Sequence, residues 1–328
     1  MPERVISFAQ AIAEAVEGIM EEDPRFQLMG ARFTGHTKSA RVMDPIIERY
    51  ADRISWPPIS EIAYCGVAIG AAISGVRSIV EMSTATFSYE AIPQIVNEAA
   101  IVHANSNGRI SAPVVFHVLY GIRGAGAAQH SGSPQGWYWS APGLQVAMPA
   151  TPADMKGLLR YAALRSKGPT VLLDHQRLME GFGPVPEGPF EIPFGQASVE
   201  REGDDVTILG TSIQVQRALE AADILYRDHG LAAEVLDLRT LQPLDHATIA
   251  RSVKKTGRVV VTDESPEDAG VATVLAGIVA SEMFDSLRAP VKRVGVLPTP
   301  VPYAKGMEDF VTPRVDRIVA AALEVAKR

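Results

Sequence analysis

Cysteine is the scarcest residue of this chain: Cys65 stands alone among 328 residues. A single thiol cannot form a disulfide within the chain, and it leaves too few thiolates for a zinc cluster. Positive charge is also short. Thirty-one Lys and Arg face 38 Asp and Glu, for a net charge of −7. With no basic run as well, a nucleic-acid surface is disfavoured. No stretch reaches the roughly 18 uninterrupted apolar residues of a membrane span. Met1-Pro2-Glu3-Arg4 opens straight into an amphipathic pattern without the apolar region of a secretion signal, so the expected location is the cytoplasm. Several catalytic signatures are missing too. There is no P-loop, no H-E-x-x-H and no G-x-S-x-G elbow. Gly121-x-x-Gly124-x-Gly126 has the wrong spacing for a dinucleotide fingerprint. No His and carboxylate pair has convincing metal-ligand spacing, and no metal ligand is assigned.

What is present is ordinary globular composition, 47% apolar and 21% charged, in a chain long enough for two domains. Helical spacing runs from Phe8 to Met20 and stops before Asp23-Pro24. Strand-like runs follow at 26–30, 77–82, 113–118, 144–149 and 170–173, interleaved with helical patterns at 43–50, 62–75, 89–105 and 152–164. The stretch from Ala31 to Ala40 is polar and irregular. This alternation predicts a parallel sheet with right-handed crossovers. Pro184 to Pro193 is rich in Pro and Gly and carries no period, so it reads as a linker. Beyond it the alternation restarts, with strands at 205–210, 233–238, 258–262 and 291–296. The expected architecture is two α/β domains, 1–183 and 194–328, joined by residues 184–193.

The most informative stretch is Pro58-Ile59-Ser60-Glu61, which runs into an apolar, Gly- and Ala-rich helix ending near Gly75. Ser60 can cap that helix and Glu61 takes its first position. So apolar a helix is expected to be buried on nearly every side. Glu61 then either solvates the helix end or serves as a carboxyl whose protonation is tuned by burial against the helix N-terminus. Ligands in open α/β sheets sit beyond the carboxyl ends of the strands. Three segments converge there in the first domain: the Glu61 turn, Ser83-Thr84-Ala85-Thr86-Phe87, and the Gly/Ala loop from Gly121 that ends in His130. A carboxylate, an aromatic and a histidine on one rim suit proton transfer on an aromatic cofactor or substrate. His103 reads as a helix-surface residue and His117 as strand packing, whereas nothing around His130 looks like core. Trp137-Tyr138-Trp139 either walls a pocket or packs at an interface.

In order along the chain, Pro58-Ile59-Ser60-Glu61, Gly66-Val67-Ala68-Ile69-Gly70-Ala71-Ala72, Gln94-Ile95-Val96-Asn97-Glu98-Ala99-Ala100 and Ala128-Gln129-His130-Ser131 are followed by four further segments. These are Pro142-Gly143-Leu144, Lys156-Gly157-Leu158-Leu159, Leu236-Asp237-Leu238-Arg239-Thr240 and Val301-Pro302-Tyr303. Across almost its whole length the chain resembles the β subunit of the thiamine-diphosphate-dependent decarboxylating component of 2-oxo acid dehydrogenase complexes. That family includes the pyruvate, branched-chain and acetoin enzymes. The resemblance implies a transketolase-like pyrimidine-binding domain followed by a smaller transketolase C-terminal domain.

It also implies roles. Glu61 matches the glutamate that hydrogen-bonds N1′ of the cofactor's aminopyrimidine and favours the tautomer able to take the thiazolium C2 proton. Phe87 matches the ring that stacks on the pyrimidine, and Ser83 stands where a larger apolar residue often lines that pocket. His130 matches a histidine that orients or protonates the 2-oxo acid or the acyl acceptor. The chain has no Gly-Asp-Gly, the motif that holds diphosphate and Mg²⁺ on the α subunit of the family. An α partner is therefore implied, typically in α₂β₂, with the Gly66–Gly75 helix and the Trp137–Trp139 cluster as contact surfaces. A lipoyl acyltransferase is the implied acyl acceptor, and a carboligase or ketol transferase with another acceptor is the alternative. Departures fall around the site: Gly30-Ala31-Arg32 replaces an acidic stretch, and Pro93, Gly132 and Ser140 replace common polar residues. The Arg165–Gly168 turn carries an extra residue where some relatives bind potassium, so no potassium site is expected.

Overall fold

The computed structural model describes residues 4–33 and 39–327. Met1–Glu3, Arg328 and the Thr34–Lys38 part of the irregular stretch lie outside the described residues. The chain separates into two compact units: 1–121 with 137–194, and 122–136 with 195–328.

In the first unit the parallel strands run, in spatial order, Gln145–Ala147, Thr170–His175, Val114–Tyr120, Ser78–Thr84, Gln27–Met29 and Ile54–Ser55. The two central strands explain the order. Every residue of Val114–Tyr120 and of Thr170–His175 is buried, as expected of strands covered on both faces. The helix Phe8–Glu22 starts where its sequence dictates. Ser7 and Gln10 form a reciprocal capping box, and the helix packs along Pro152–Leu164, whose Thr151 and Asp154 form another. Ahead of it, Val5–Ser7 pairs antiparallel with Phe182–Pro184, short strands that carry no alternation in the sequence. Residues beyond 184 run against this unit. Val185 donates to the Arg4 carbonyl, Ile192 donates to that of Gly157, and a side chain on Gly157 would collide with Ile192.

Three local expectations change. Ser60 occupies the N-cap of Glu61–Ile73 but its hydroxyl makes no capping bond; its carbonyl accepts from Ala63 and Tyr64 instead. The single helix expected over 89–105 is divided into a 3₁₀ segment Ala85–Ala91, a π segment Pro93–Ala99 and a short α-helix Val102–Asn105. Pro93 has no amide hydrogen to donate, which breaks the regular ladder at that point. Most instructive, Glu61–Ile73 is buried on one face only. Tyr64, Cys65, Ala68, Ile69 and Ala72 point inward, while Ile62, Val67 and Ile73 are exposed, with Gly66 and Gly70 facing open space. Periodicity alone reports that a helix is apolar, not whether its own chain covers it.

In the second unit a five-stranded sheet runs Lys292–Val296, Val259–Pro266, Val206–Gly210, Ala233–Asp237 and Ser198–Arg201, all parallel except the last. Helix Ile213–His229 ends at Gly230 in the left-handed conformation and helix His246–Thr256 ends at Gly257, a common stop for both. The edge strand Ser198–Arg201 and the helix Lys305–Val311 join the elements read from sequence. The segment 122–136, expected in the first domain, groups with this unit.

Candidate active site

The first unit gathers its polar groups at the carboxyl edge of its sheet. Ile54–Ser55 and Ser78–Thr84 flank Gln27–Met29 in parallel, so the chain leaves both toward the same side. After the first comes Glu61, which opens its helix partly exposed. Tyr64, one turn on, is buried. Burial raises the Tyr64 phenol well above its usual range, and the Glu61 charge adds to the rise. The same two causes push the buried Cys65 thiol up, so this cysteine is an inert packing group with its sulfur 3.9 Å from that of Met82.

After the second strand comes Ser83, an exposed non-glycine residue at φ 57°. Its amide donates to Glu81 Oε1 at 2.7 Å, which fixes the turn. The turn leads into the 3₁₀ segment with Phe87, whose ring is 38% exposed. Helix Glu61–Ile73 packs directly against that segment. Beside it Tyr89 stacks on Trp137, with centroids 5.2 Å apart and planes at 23°. Tyr138 is buried, with its hydroxyl hydrogen-bonded to Ser88. The aromatic triplet thus divides: Tyr138 is core and Trp137 is 63% exposed.

Glu61, Ser83 and Phe87 therefore share one edge. His130 belongs to the second unit, where it is exposed at the end of the short helix Ala127–His130. His117 is fully buried and bonds Asp174 at 2.9 Å, while His103 is exposed and reaches the Ile110 carbonyl. Beneath the edge, burial raises the Glu81 carboxyl above the usual range, partly offset by His117 and the Ser83 amide. Near the Arg165–Gly168 turn, the Arg77 guanidinium donates to the carbonyls of Ala163 and Ser166 at 2.7 and 2.6 Å.

Residues 4–180 match the transketolase pyrimidine-binding domain and residues 195–318 the transketolase C-terminal domain. The β-2 subunit of the mitochondrial pyruvate dehydrogenase E1 component of Oryza sativa subsp. japonica is 39% identical over 97% of this chain and 86% of its own length. The β subunit of acetoin:2,6-dichlorophenolindophenol oxidoreductase from Cupriavidus necator is 38% identical over 99% and 98%. The chain belongs to the β-subunit family of thiamine-diphosphate-dependent 2-oxo acid dehydrogenases. Its fold is that of a split-gene transketolase, described as an inactive β4 tetramer, with a TM-score of 0.78, 24% identity and 98% coverage of each chain.

For a member of this β-subunit family, the residues missed by sequence reading are supports. Tyr64 was legible in principle, because i and i+3 share a helix face and the position follows directly from Glu61. Glu81 was not, since its partner is the amide of a residue in an unusual backbone conformation. Gly143, in the Pro142-Gly143-Leu144 segment, has φ 94°, and a side chain there would strike the Ala100 carbonyl.

Proposed function

We propose that this chain is the pyrimidine-handling half of an oxidoreductase that, with an α subunit, decarboxylates a 2-oxo acid or cleaves an acyloin and passes the acyl unit to a lipoyl group. The carrying observation is Glu61: a partly exposed carboxylate at a helix start, one turn from the buried Tyr64, on the same sheet edge as the partly exposed Phe87. The residues present fit an aminopyrimidine. Glu61 would accept from or share a proton with N1′, Phe87 would offer its face to the ring, and the Ser83 turn would line the pocket. Thiamine diphosphate, when bound, supplies the electron sink for breaking the bond beside the 2-oxo carbon.

The chain's own groups do the rest. Glu61, at the first position of its helix, would pass a proton to and from N1′. His130, exposed on its segment, orients the substrate or acceptor or moves a proton to it. The diphosphate and Mg²⁺ are assigned mainly to the α subunit. We place the pyrimidine-binding domain at 1–183, the linker at 184–193 and the C-terminal domain at 194–328, in an α₂β₂ assembly in the cytoplasm. No helix of the described residues is long and apolar enough to cross a membrane.

The uncovered face of Glu61–Ile73 supports an obligate partner, since Gly66 and Gly70 lie between exposed Ile62 and Ile73 on one side and exposed Val67 on the other. Gly66→Ala with Gly70→Ala should stabilise the isolated chain, by about 0.5–1 kcal/mol per site, because nothing opposes the new methyl groups and helical glycine is costly. The same pair should weaken co-purification with the α subunit. The function itself is tested by reconstituting the pair with thiamine diphosphate, Mg²⁺, a panel of 2-oxo acids and an artificial electron acceptor. Wild type reduces the acceptor, and Glu61→Gln loses on the order of 10²-fold or more in kcat. Unaltered turnover in Glu61→Gln would leave the chain a scaffold.

A further inference from the structure

The segment that carries His130 is held at both ends by two adjacent buried acids. Asp263 and Glu264 lie at the carboxyl end of strand Val259–Pro266, both with no exposed surface. At the front of the segment, the Ile122 amide donates to Glu264 Oε1 at 2.5 Å. At its back, Gln135 Nε2 donates to Asp263 Oδ1 at 2.9 Å. The acids are themselves fixed. Arg217 Nη1 donates to Glu264 Oε2 at 2.8 Å, while Asp263 accepts from the Thr211 hydroxyl and from the amide and hydroxyl of Ser265. Ser265 Oγ in turn accepts from the Val271 amide at 2.8 Å, tying the pair to the start of helix Val271–Glu282. The ends of the segment thus rest on a deeply buried polar cluster of the second unit.

Between those two anchors the backbone is strained. Ala125 and Ala127 sit at φ 54° and 52°, left-handed values that cost a residue with a Cβ roughly 1–2 kcal/mol each. Gly126 between them has no room for a side chain, because a Cβ would strike Ser131 Oγ and crowd Arg123 and the His130 carbonyl. Strain of this kind persists only where the surroundings over-determine the backbone. Residues 123–134 have little core to do this, whereas Ile122 and Gln135 are almost fully buried. Burial also raises the Asp263 carboxyl, which is surrounded by neutral donors and not by a cation.

We propose that Asp263 and Glu264 are positioning residues that clamp both ends of segment 122–136 and so set where His130 stands in the reaction. The assignment rests on the role given to His130 above. Gln135→Glu tests it, keeping the volume while turning the donor that faces Asp263 into a second carboxylate. In the full chain, amide hydrogen exchange across 123–134 should speed about tenfold or more. In the reconstituted pair kcat should fall about fivefold or more while KM for the 2-oxo acid stays within about twofold.

Asp263→Asn added to Gln135→Glu returns a donor–acceptor pair between positions 135 and 263. Both readouts should return to within about threefold of wild type, a rescue that a loss of bulk stability would not give. Gln135→Met removes the donor without adding charge and should also speed exchange, so the test survives poor folding of the first variant. His130→Asn separates the two readings. If it leaves kcat intact, the role of His130 fails and the positioning role falls with it. If it lowers kcat while Gln135→Glu and Gln135→Met leave exchange and kcat unchanged, the clamp is overturned and the proposed function stands.

Discussion

Each unit of this molecule buries carboxylates at the carboxyl end of a central parallel strand, and the two compensate for that burial in opposite ways. In the first unit Asp174 faces the imidazole of His117 at 2.9 Å, with both side chains fully buried. Burial alone lowers the His117 imidazole, but the facing Asp174 carboxylate overcomes it and the net direction is up. In the second unit Asp263 makes no ion pair among the described residues and is held by hydroxyls, an amide hydrogen and the Gln135 side chain. A charge pair depends on its counter-charge, whereas a cage of neutral donors spreads the task over several bonds. The first arrangement ties two strands of the sheet together, and the second is suited to gripping a segment whose conformation is strained.

Substitutions at the two acids should differ accordingly. Asp174→Asn strips His117 of its counter-charge and should cost about 3–5 kcal/mol in urea unfolding of the full chain. Asp263→Asn keeps acceptors and donors in the cage and should cost less, about 1–2 kcal/mol. Equal losses would remove the distinction. Thr211→Val deletes one donor of the cage and should cost about 1 kcal/mol, with Thr211→Ser close to wild type.

The smallest effect is read against pH. The Glu81 carboxyl is raised in the fold, so the folded chain keeps a proton that the unfolded chain releases. Its contribution is therefore complete below the unfolded carboxyl range and drains away as pH climbs through the raised value. Glu81→Gln should gain on wild type as pH rises from about 4.5 through that window, as urea midpoints measured at several pH values would show. A difference that shrinks over the same interval would mean that Glu81 is favoured in its ionised form, like a surface salt-bridged acid.

The contrast also explains what the sequence made legible. Alternating strands and helices, the break at Asp23-Pro24 and the capping residues Ser7 and Thr151 encode the elements locally, and the observed elements follow them closely. Glu61 could be read because an acid before a hydrophobic helix is a local anomaly. Two features could not be read. Whether Ile62, Val67 and Ile73 are covered depends on surfaces outside the helix, and an apolar period is the same for a core face and an uncovered one. The affiliation of 122–136 rests on bonds from Ile122 to Glu264 and from Gln135 to Asp263, partners more than a hundred residues away. No local pattern marks an acid as the keeper of so distant a loop.

The central claim is that Glu61 handles the proton of a pyrimidine-bearing cofactor, and the most direct measurement bypasses substrate altogether. In the reconstituted pair, the rate at which bound thiamine diphosphate exchanges its C2 proton for deuterium can be followed by quenched-flow NMR. Glu61→Gln should slow that exchange on the order of 10²-fold or more without abolishing cofactor binding. Exchange as fast as in the wild-type pair would contradict the account.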